Sequence, residues 1–224
     1  MTSYRIAVVG GTGPQGKGLA YRFAQAGHTV VLGSRSAERA RRTAAEIARR
    51  AGDAVPVGGA DNATAAASAD VVLLAVPYDG HAALVESLRT PLTGKVVLSC
   101  VNPLGFDRHG PYGREVADGS AAEEAQRIVP GARLAGAFHH LSATSLWNEA
   151  GLLAHEDVLV CGDDAEAKAV AVELARTVTG RAGVDAGALR LARQLEPLTA
   201  VLIGVNKRYK VRSGIRVAGL GPGG

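Results

Sequence analysis

The sequence predicts a doubly wound α/β fold on a mostly parallel sheet, and three observations carry that prediction. An apolar, β-branched run at 4–9 leads directly into Gly-x-Gly-x-x-Gly at Gly11, Gly13 and Gly16. Further apolar runs at 29–33, 70–76, 95–99 and 132–138 alternate with stretches of helical periodicity. The run at 70–76 is continuously apolar rather than alternating, as a strand covered on both faces requires. Together they give a Rossmann-type, mostly parallel sheet, with a small C-terminal α/β segment after it.

Tyr4 to Val9 forms the first strand, and Leu19, Phe23 and Ala26 set the apolar face of the following helix. Between them Gly11 permits a tight turn, Gly13 lets backbone approach a pyrophosphate, and Gly16 lets the helix lie close to the strand. The unpaired N–H groups of the helix then face an anion, so the turn reads as a dinucleotide site.

Gly27-His28 closes that helix, Thr29 to Gly33 supplies the second strand, and Ser36 caps a helix through Arg50. About twenty residues past the glycine turn, an NAD-preferring site places an acid on the ribose hydroxyl. Here Ser34 and Arg35 stand instead, with Arg39 one helical turn beyond. A fork-shaped cation suits a 2′-phosphate better than a diol, which predicts NADP. The competing reading makes Arg35 and Arg39 the start of a solvated face that continues through Arg41, Arg42, Arg49 and Arg50.

A short strand at 54–57 and a helix from about Asp61 precede the strand at 70–76, which ends at Pro77-Tyr78. A helix over 80–89 and a strand over 95–99 follow, ending at Val101-Asn102-Pro103. Both proline loops fall on the same sheet edge as the glycine turn, where doubly wound sheets bind ligands, and are expected to line a nicotinamide pocket. Phe106 to Gly119 is polar and glycine-rich and reads as a mobile loop. A helix over 121–129 leads to the strand at 132–138, which terminates in His139-His140-Leu141-Ser142-Ala143-Thr144.

Beyond this point lie a strand at 157–161, a helix over 165–178, an extended piece at 182–185 and a long, largely apolar helix over 187–206. Apolar residues on several faces of that helix suggest burial against a second subunit, hence a homodimer. The expected division is a nucleotide-binding domain at 1–144 and a small domain at 145–224.

Composition narrows the chemistry. The 224 residues are 47% hydrophobic, contain no run of membrane-spanning length and show no signal segment, so a cytoplasmic location is expected. Cys100 and Cys161 lack any metal-ligand or CxxC spacing, and no metal is expected. Neither Gly-x-Ser-x-Gly nor His-Glu-x-x-His occurs. The net charge of +4 draws heavily on Lys207, Arg208, Lys210, Arg212 and Arg216. This basic stretch is either a solvated helix end or an attractor for an anionic ligand. Only one aromatic is interleaved with it, and no nucleic-acid partner is expected.

The stretches Gly10-Gly11-Thr12-Gly13, Gly33-Ser34-Arg35, Val76-Pro77-Tyr78, Ala137-Phe138-His139, Val160-Cys161-Gly162-Asp163-Asp164 and Val184-Asp185-Ala186-Gly187 resemble, in order and spacing, the NADPH:coenzyme F420 oxidoreductases. The resemblance runs from about residue 4 to 218. It implies reversible hydride transfer between NADP and the 8-hydroxy-5-deazaflavin coenzyme F420, with both bound as small-molecule cofactors. Thr12, Gly13, Pro14 and Gln15 would hold the pyrophosphate, and Ser34, Arg35 and Arg39 the 2′-phosphate. Pro77, Tyr78 and Ala82, beside Val76, would line the nicotinamide side, with Ala143 closing it.

The deazaflavin would stack against His139, His140, Leu141 and Ser142 and the segment near Ser213, making the small domain part of its site. Asn102 stands where family members carry an apolar residue. Gly219 to Gly224 extends past the pattern and reads as disordered. Hydride transfer between stacked rings needs distance and orientation rather than a nucleophile or carboxylate pair, so no catalytic side chain is expected. His139 and His140 are read either as satisfied histidines at a strand end or as partners of the deazaflavin. A reductase of a small hydroxyacid or imine, or a non-catalytic NADP sensor, would share the nucleotide fold.

Overall fold

The computed structural model describes residues 2–52 and 55–220. In β1 (Arg5–Val9), Ile6 and Val8 point to one face, Ala7 and Val9 to the other, and all four are fully buried. Burial on both faces places this strand mid-sheet. α1 (Pro14–Gln25) begins with proline in its first turn, where an amide donor has no intrahelical acceptor. β2 (Thr29–Ser34) precedes α2 (Ala37–Ala51), which Ser36 caps by accepting from the Arg39 amide at 3.2 Å.

β3 (Val57–Asp61) lies later than the expected 54–57, and Ala54 is outside the described residues. Its Val-Gly-Gly-Ala sequence carries little strand propensity, but Gly59 passes directly under the Ala40–Arg41 backbone, where a Cβ would sit 2.4 Å from main-chain atoms. Asp61 then caps α3 (Asn62–Ala67), and β4 (Val71–Leu74) follows. The single helix expected over 80–89 is two pieces, α4 (His81–Ser87) and α5 (Arg89–Leu92), before β5 (Val96–Ser99).

The expected loop at 106–119 contains part of an antiparallel hairpin, β6 (Leu104–Asp107) and β7 (Gly110–Gly113). Asp107 Oδ1 accepts from the amides of His109 and Gly110, Gly110 has φ 120°, and the Tyr112 ring covers Gly105. The chain continues through α6 (Ala121–Ile128), β8 (Arg133–Gly136), α7 (Ala143–Asn148), β9 (Leu159–Gly162), α8 (Ala165–Thr179) and β10 (Val184–Gly187). The last helix starts later than expected: a 3-10 turn at Leu189–Leu191 leads into α9 (Ala192–Tyr209).

One eight-stranded sheet runs β10-β9-β8-β5-β4-β1-β2-β3, and only the β8–β9 pair is antiparallel. The expected boundary after residue 144 therefore falls within a shared sheet. The topological switch lies between β1 and β4, whose carboxyl ends carry Gly10 and Ala75. One core packs α1, α2 and α8 on the face of Ile6, Leu73 and Leu98; the other packs α3, α6 and α9 on the face of Val9, Leu74 and Val97.

α7 is held by a buried cation. Arg22 of α1, 2% exposed, donates to the carbonyls of Ser145, Leu146, Glu149 and Gly151 at 2.5–3.0 Å. The last carbonyls of a short helix lack intrahelical partners, and this guanidinium gives one to Leu146, joins the Glu149 amide on Ser145, and ties down the chain just past the helix at Glu149 and Gly151. No described helix is long and apolar enough to cross a membrane.

Candidate functional site

The glycine turn is shaped by contacts that exclude a side chain. Gly10 has φ 78°, and a Cβ there would lie 2.5 Å from the Ala75 carbonyl oxygen; one on Gly16 would meet the Gly10 oxygen at 2.9 Å. The Gly11 amide donates to the Val8 and Gly33 carbonyls, both at 3.0 Å. No side chain caps α1 at Gly13, so its first amides face outward, toward where an anion would lie.

From this turn a groove of about 540 Å³ runs along the carboxyl edge of the sheet, bounded by Thr12, Gly13, Ser34, Arg35, Ser36, Arg39, Asn62, Val76 and Pro77. The Ser34 hydroxyl accepts from the Ser36 amide at 3.3 Å, which sets the strand-to-helix corner. Arg35 and Arg39 stand at this corner without a carboxylate partner among the described residues. An unpaired serine-arginine corner at the end of β2 fits a 2′-phosphate, and the uncapped helix start fits a pyrophosphate.

A second cavity, of about 440 Å³, shares Gly13, Ala75, Val76 and Pro77 with the groove. Pro14, Gln15, Asn102, His139, Leu141, Ser142, Ala143 and Ser213 also line it. The structure thus brings most of the residues expected from sequence to two adjoining hollows at one sheet edge. Gly11 and Gly16 lie behind the turn rather than in either wall. Tyr78 is turned aside: its hydroxyl donates to Glu124 at 3.2 Å and its ring lies near His81. Ala82 is exposed on α4, and Gly80 and Leu84 face the groove instead.

The floor of the second cavity is a backbone turn in an unusual conformation. Phe138 has φ 64°, a left-handed value uncommon for a bulky residue, and its ring is buried 5.9 Å from that of Phe23. Gln15 Nε2 donates to the Phe138 carbonyl at 3.2 Å. Asn102 Nδ2 and Thr199 Oγ1 both donate to the His139 carbonyl at 2.8 Å, and Asn102 Nδ2 also reaches Thr199 Oγ1 at 3.0 Å. Three side chains from α1, the β5 loop and α9 converge on two successive carbonyls. Sequence patterning could not pair Asn102 with Thr199, because the contact joins residues far apart in the chain.

The titratable groups here stay in one state at neutral pH. Burial pushes the His139 imidazole down to about 3, helped by neighbouring His140. Both His139 ring nitrogens are buried without a partner among the described residues. His140 is also lowered by burial, and its Nε2 donates to the Asp157 carbonyl at 2.7 Å. Burial pushes the Cys100 thiol up to about 12. The cavity therefore offers no group that exchanges a proton near neutrality.

α9 contributes wall residues that the sequence did not single out: Thr199, Leu202, Ile203 and Asn206. Their i, i+3, i+4, i+7 spacing is a helical face and could have been recognised as one. Among the described residues no group of acids, histidines and cysteines is arranged to hold a metal.

Residues 5–103 match the family described as NADP oxidoreductase, coenzyme F420-dependent. The chain is 42% identical to the F420-dependent NADP reductase of Methanothermobacter thermautotrophicus, over 96% of this chain and 95% of the relative. It is 36% identical to the enzyme of that name from Methanocaldococcus jannaschii, over 96% and 99%. A crystal structure of a candidate F420-dependent NADP-reductase from Arthrobacter sp. FB24 superimposes with a TM-score of 0.80 at 28% identity, covering 96% of this chain and 100% of that one.

Proposed function

The chain belongs to the family of coenzyme F420-dependent NADP oxidoreductases, and from that membership we infer that it transfers hydride between NADP(H) and the deazaflavin coenzyme F420. The observation that carries the reading onto the structure is the pair of adjoining hollows sharing Gly13, Ala75, Val76 and Pro77. A nicotinamide lying on the shared wall has room for a second ring system beside it in the cavity floored by 138–142.

The amides that open α1 and the turn through Thr12, Gly13, Pro14 and Gln15 hold the pyrophosphate; Ser34, Arg35 and Arg39 hold the 2′-phosphate. Val76, Pro77, Asn102 and Ala143 shape the wall on which the nicotinamide lies, and His139, Leu141, Ser142 and Ser213 face the deazaflavin. Bound together, the two coenzymes would supply both reactive carbons of the hydride transfer. The chain's part is to fix distance and orientation and to displace water. Gln15, Asn102 and Thr199 are positioning residues, since they hold the carbonyls of the 138–139 turn. Burial holds the imidazoles of His139 and His140 below, and the thiol of Cys100 above, their ordinary pKa ranges, so none of them is assigned a proton-transfer role.

The exposed Val201 on α9 supports a homodimer. Sedimentation at micromolar concentration should return twice the chain mass, and a monomer would exclude that assembly. The activity is tested by mixing the protein with NADPH and oxidised F420 and following the deazaflavin absorbance. Rapid bleaching with NADPH and little with NADH is expected. NADPH binding without bleaching would overturn the reading.

A further inference from the structure

We propose that the exposed turn at 207–212 is the recognition site for the anionic side chain of the deazaflavin coenzyme, its phosphodiester and glutamate carboxylates, at the mouth of the cavity. The proposal rests on the placement of the deazaflavin given above and extends it beyond the ring.

Three observations carry it. Asn206 and Ser213 both belong to the cavity wall, and the Ser213 amide donates to Asn206 Oδ1 at 2.6 Å. The six residues between them, the end of α9 and the reversal that follows it, are thus pinned at both ends to the cavity rim. Lys210 reverses the chain in the left-handed conformation, φ 58°.

That turn concentrates uncompensated charge. Lys207, Arg208, Lys210 and Arg212 are all exposed, and among the described residues none has a carboxylate or carbonyl partner. Arg216, by contrast, donates to the Ala154 carbonyl at 3.0 Å and lies 4.0 Å from Asp157. The nearby acids are already engaged or covered. Glu156 is buried under Gly214, and Asp157 accepts from the Val217 amide and faces Arg181 at 3.1 Å.

The helix dipole accounts for only part of this pattern. Lys207 and Arg208 stand in the last turn of α9, where cations are favoured, but Lys210 and Arg212 lie past the helix end. Four like charges within six residues repel one another unless an anion sits among them. A ring system seated in the cavity would carry its phosphate and carboxylates out past this rim, and clustered lysine and arginine suit both groups.

The test compares two ligands on two proteins. The triple substitution Lys207→Gln, Arg208→Gln and Arg212→Gln leaves the left-handed Lys210 in place and removes only exposed side chains. Dissociation constants are measured by deazaflavin fluorescence for intact F420 and for its ribityl core, which lacks phosphate and glutamates. NADPH affinity and the thermal midpoint serve as controls. The triple variant should lose on the order of tenfold affinity for intact F420, as expected for several screened ion pairs, with no change for the core or for NADPH. Affinity of the unmodified protein for F420 should also fall more steeply with salt than that of the variant.

Equal loss for both ligands, or no loss for either, overturns the proposal. A protein that binds NADPH but neither deazaflavin overturns the ring placement itself, and the tail assignment with it.

Discussion

Arg35 is the residue through which we propose that this protein selects NADP over NAD. It directly follows the last residue of β2, at the position where a ribose diol would call for an acid, and among the described residues it has no carboxylate to neutralise it. Arg35→Asp should lower kcat/KM for NADPH by about 10- to 100-fold, the worth of a charge-assisted hydrogen bond to phosphate, while raising that for NADH. Steady-state kinetics with both coenzymes checks this, and an unchanged NADPH preference would move the phosphate elsewhere. His139 makes a prediction about pH. Its imidazole stays neutral in the fold down to about pH 3, whereas the unfolded chain takes up a proton near 6.5. The folded value is depressed, so the contribution is full above pH 6.5 and is lost as pH falls toward 3. Denaturant titrations should show His139→Gln flattening stability across that window; parallel curves would mean that burial does not hold the ring neutral.

At the scale of elements, α7 and the 138–142 turn set the second cavity, and both are fixed by side chains from other elements. Arg22→Met retains bulk but removes the guanidinium from four carbonyls, of which only that of Ser145 keeps a second donor, and chemical denaturation should show a loss of about 3 kcal/mol or more. A loss below 1 kcal/mol would mean that water replaces the guanidinium. Such contacts explain what the sequence hid. α7 is a six-residue helix without an apolar period, and its carboxyl end is held by Arg22 more than a hundred residues earlier. The β6–β7 hairpin was obscured by glycine and proline, although Asp107 and Gly110 carry a legible turn signal. β1, β2, β4 and β5 were plain because burial on both faces forces continuous apolar runs.

At the scale of the molecule, the nucleotide half of the site was legible because it is local: a glycine turn and the end of β2 lie within about thirty residues, as the βαβ unit requires. The second cavity, where we place the deazaflavin, was not legible from patterning, since its lining draws Asn102, His139, Thr199 and Ser213 from four distant segments. The motif resemblance supplied most of those residues, and the geometry added the face of α9. The segments meet because β9 and β10 extend the same sheet and return α9 over its carboxyl edge.

Two coenzymes held against one shared wall should exchange hydride directly. The measurement that tests it uses NADPH deuterated at either face of C4, with the reduced deazaflavin analysed by mass spectrometry. The account predicts that one of the two labelled forms passes its deuterium intact to the deazaflavin with none lost to water. Deuterium appearing in solvent instead would contradict it.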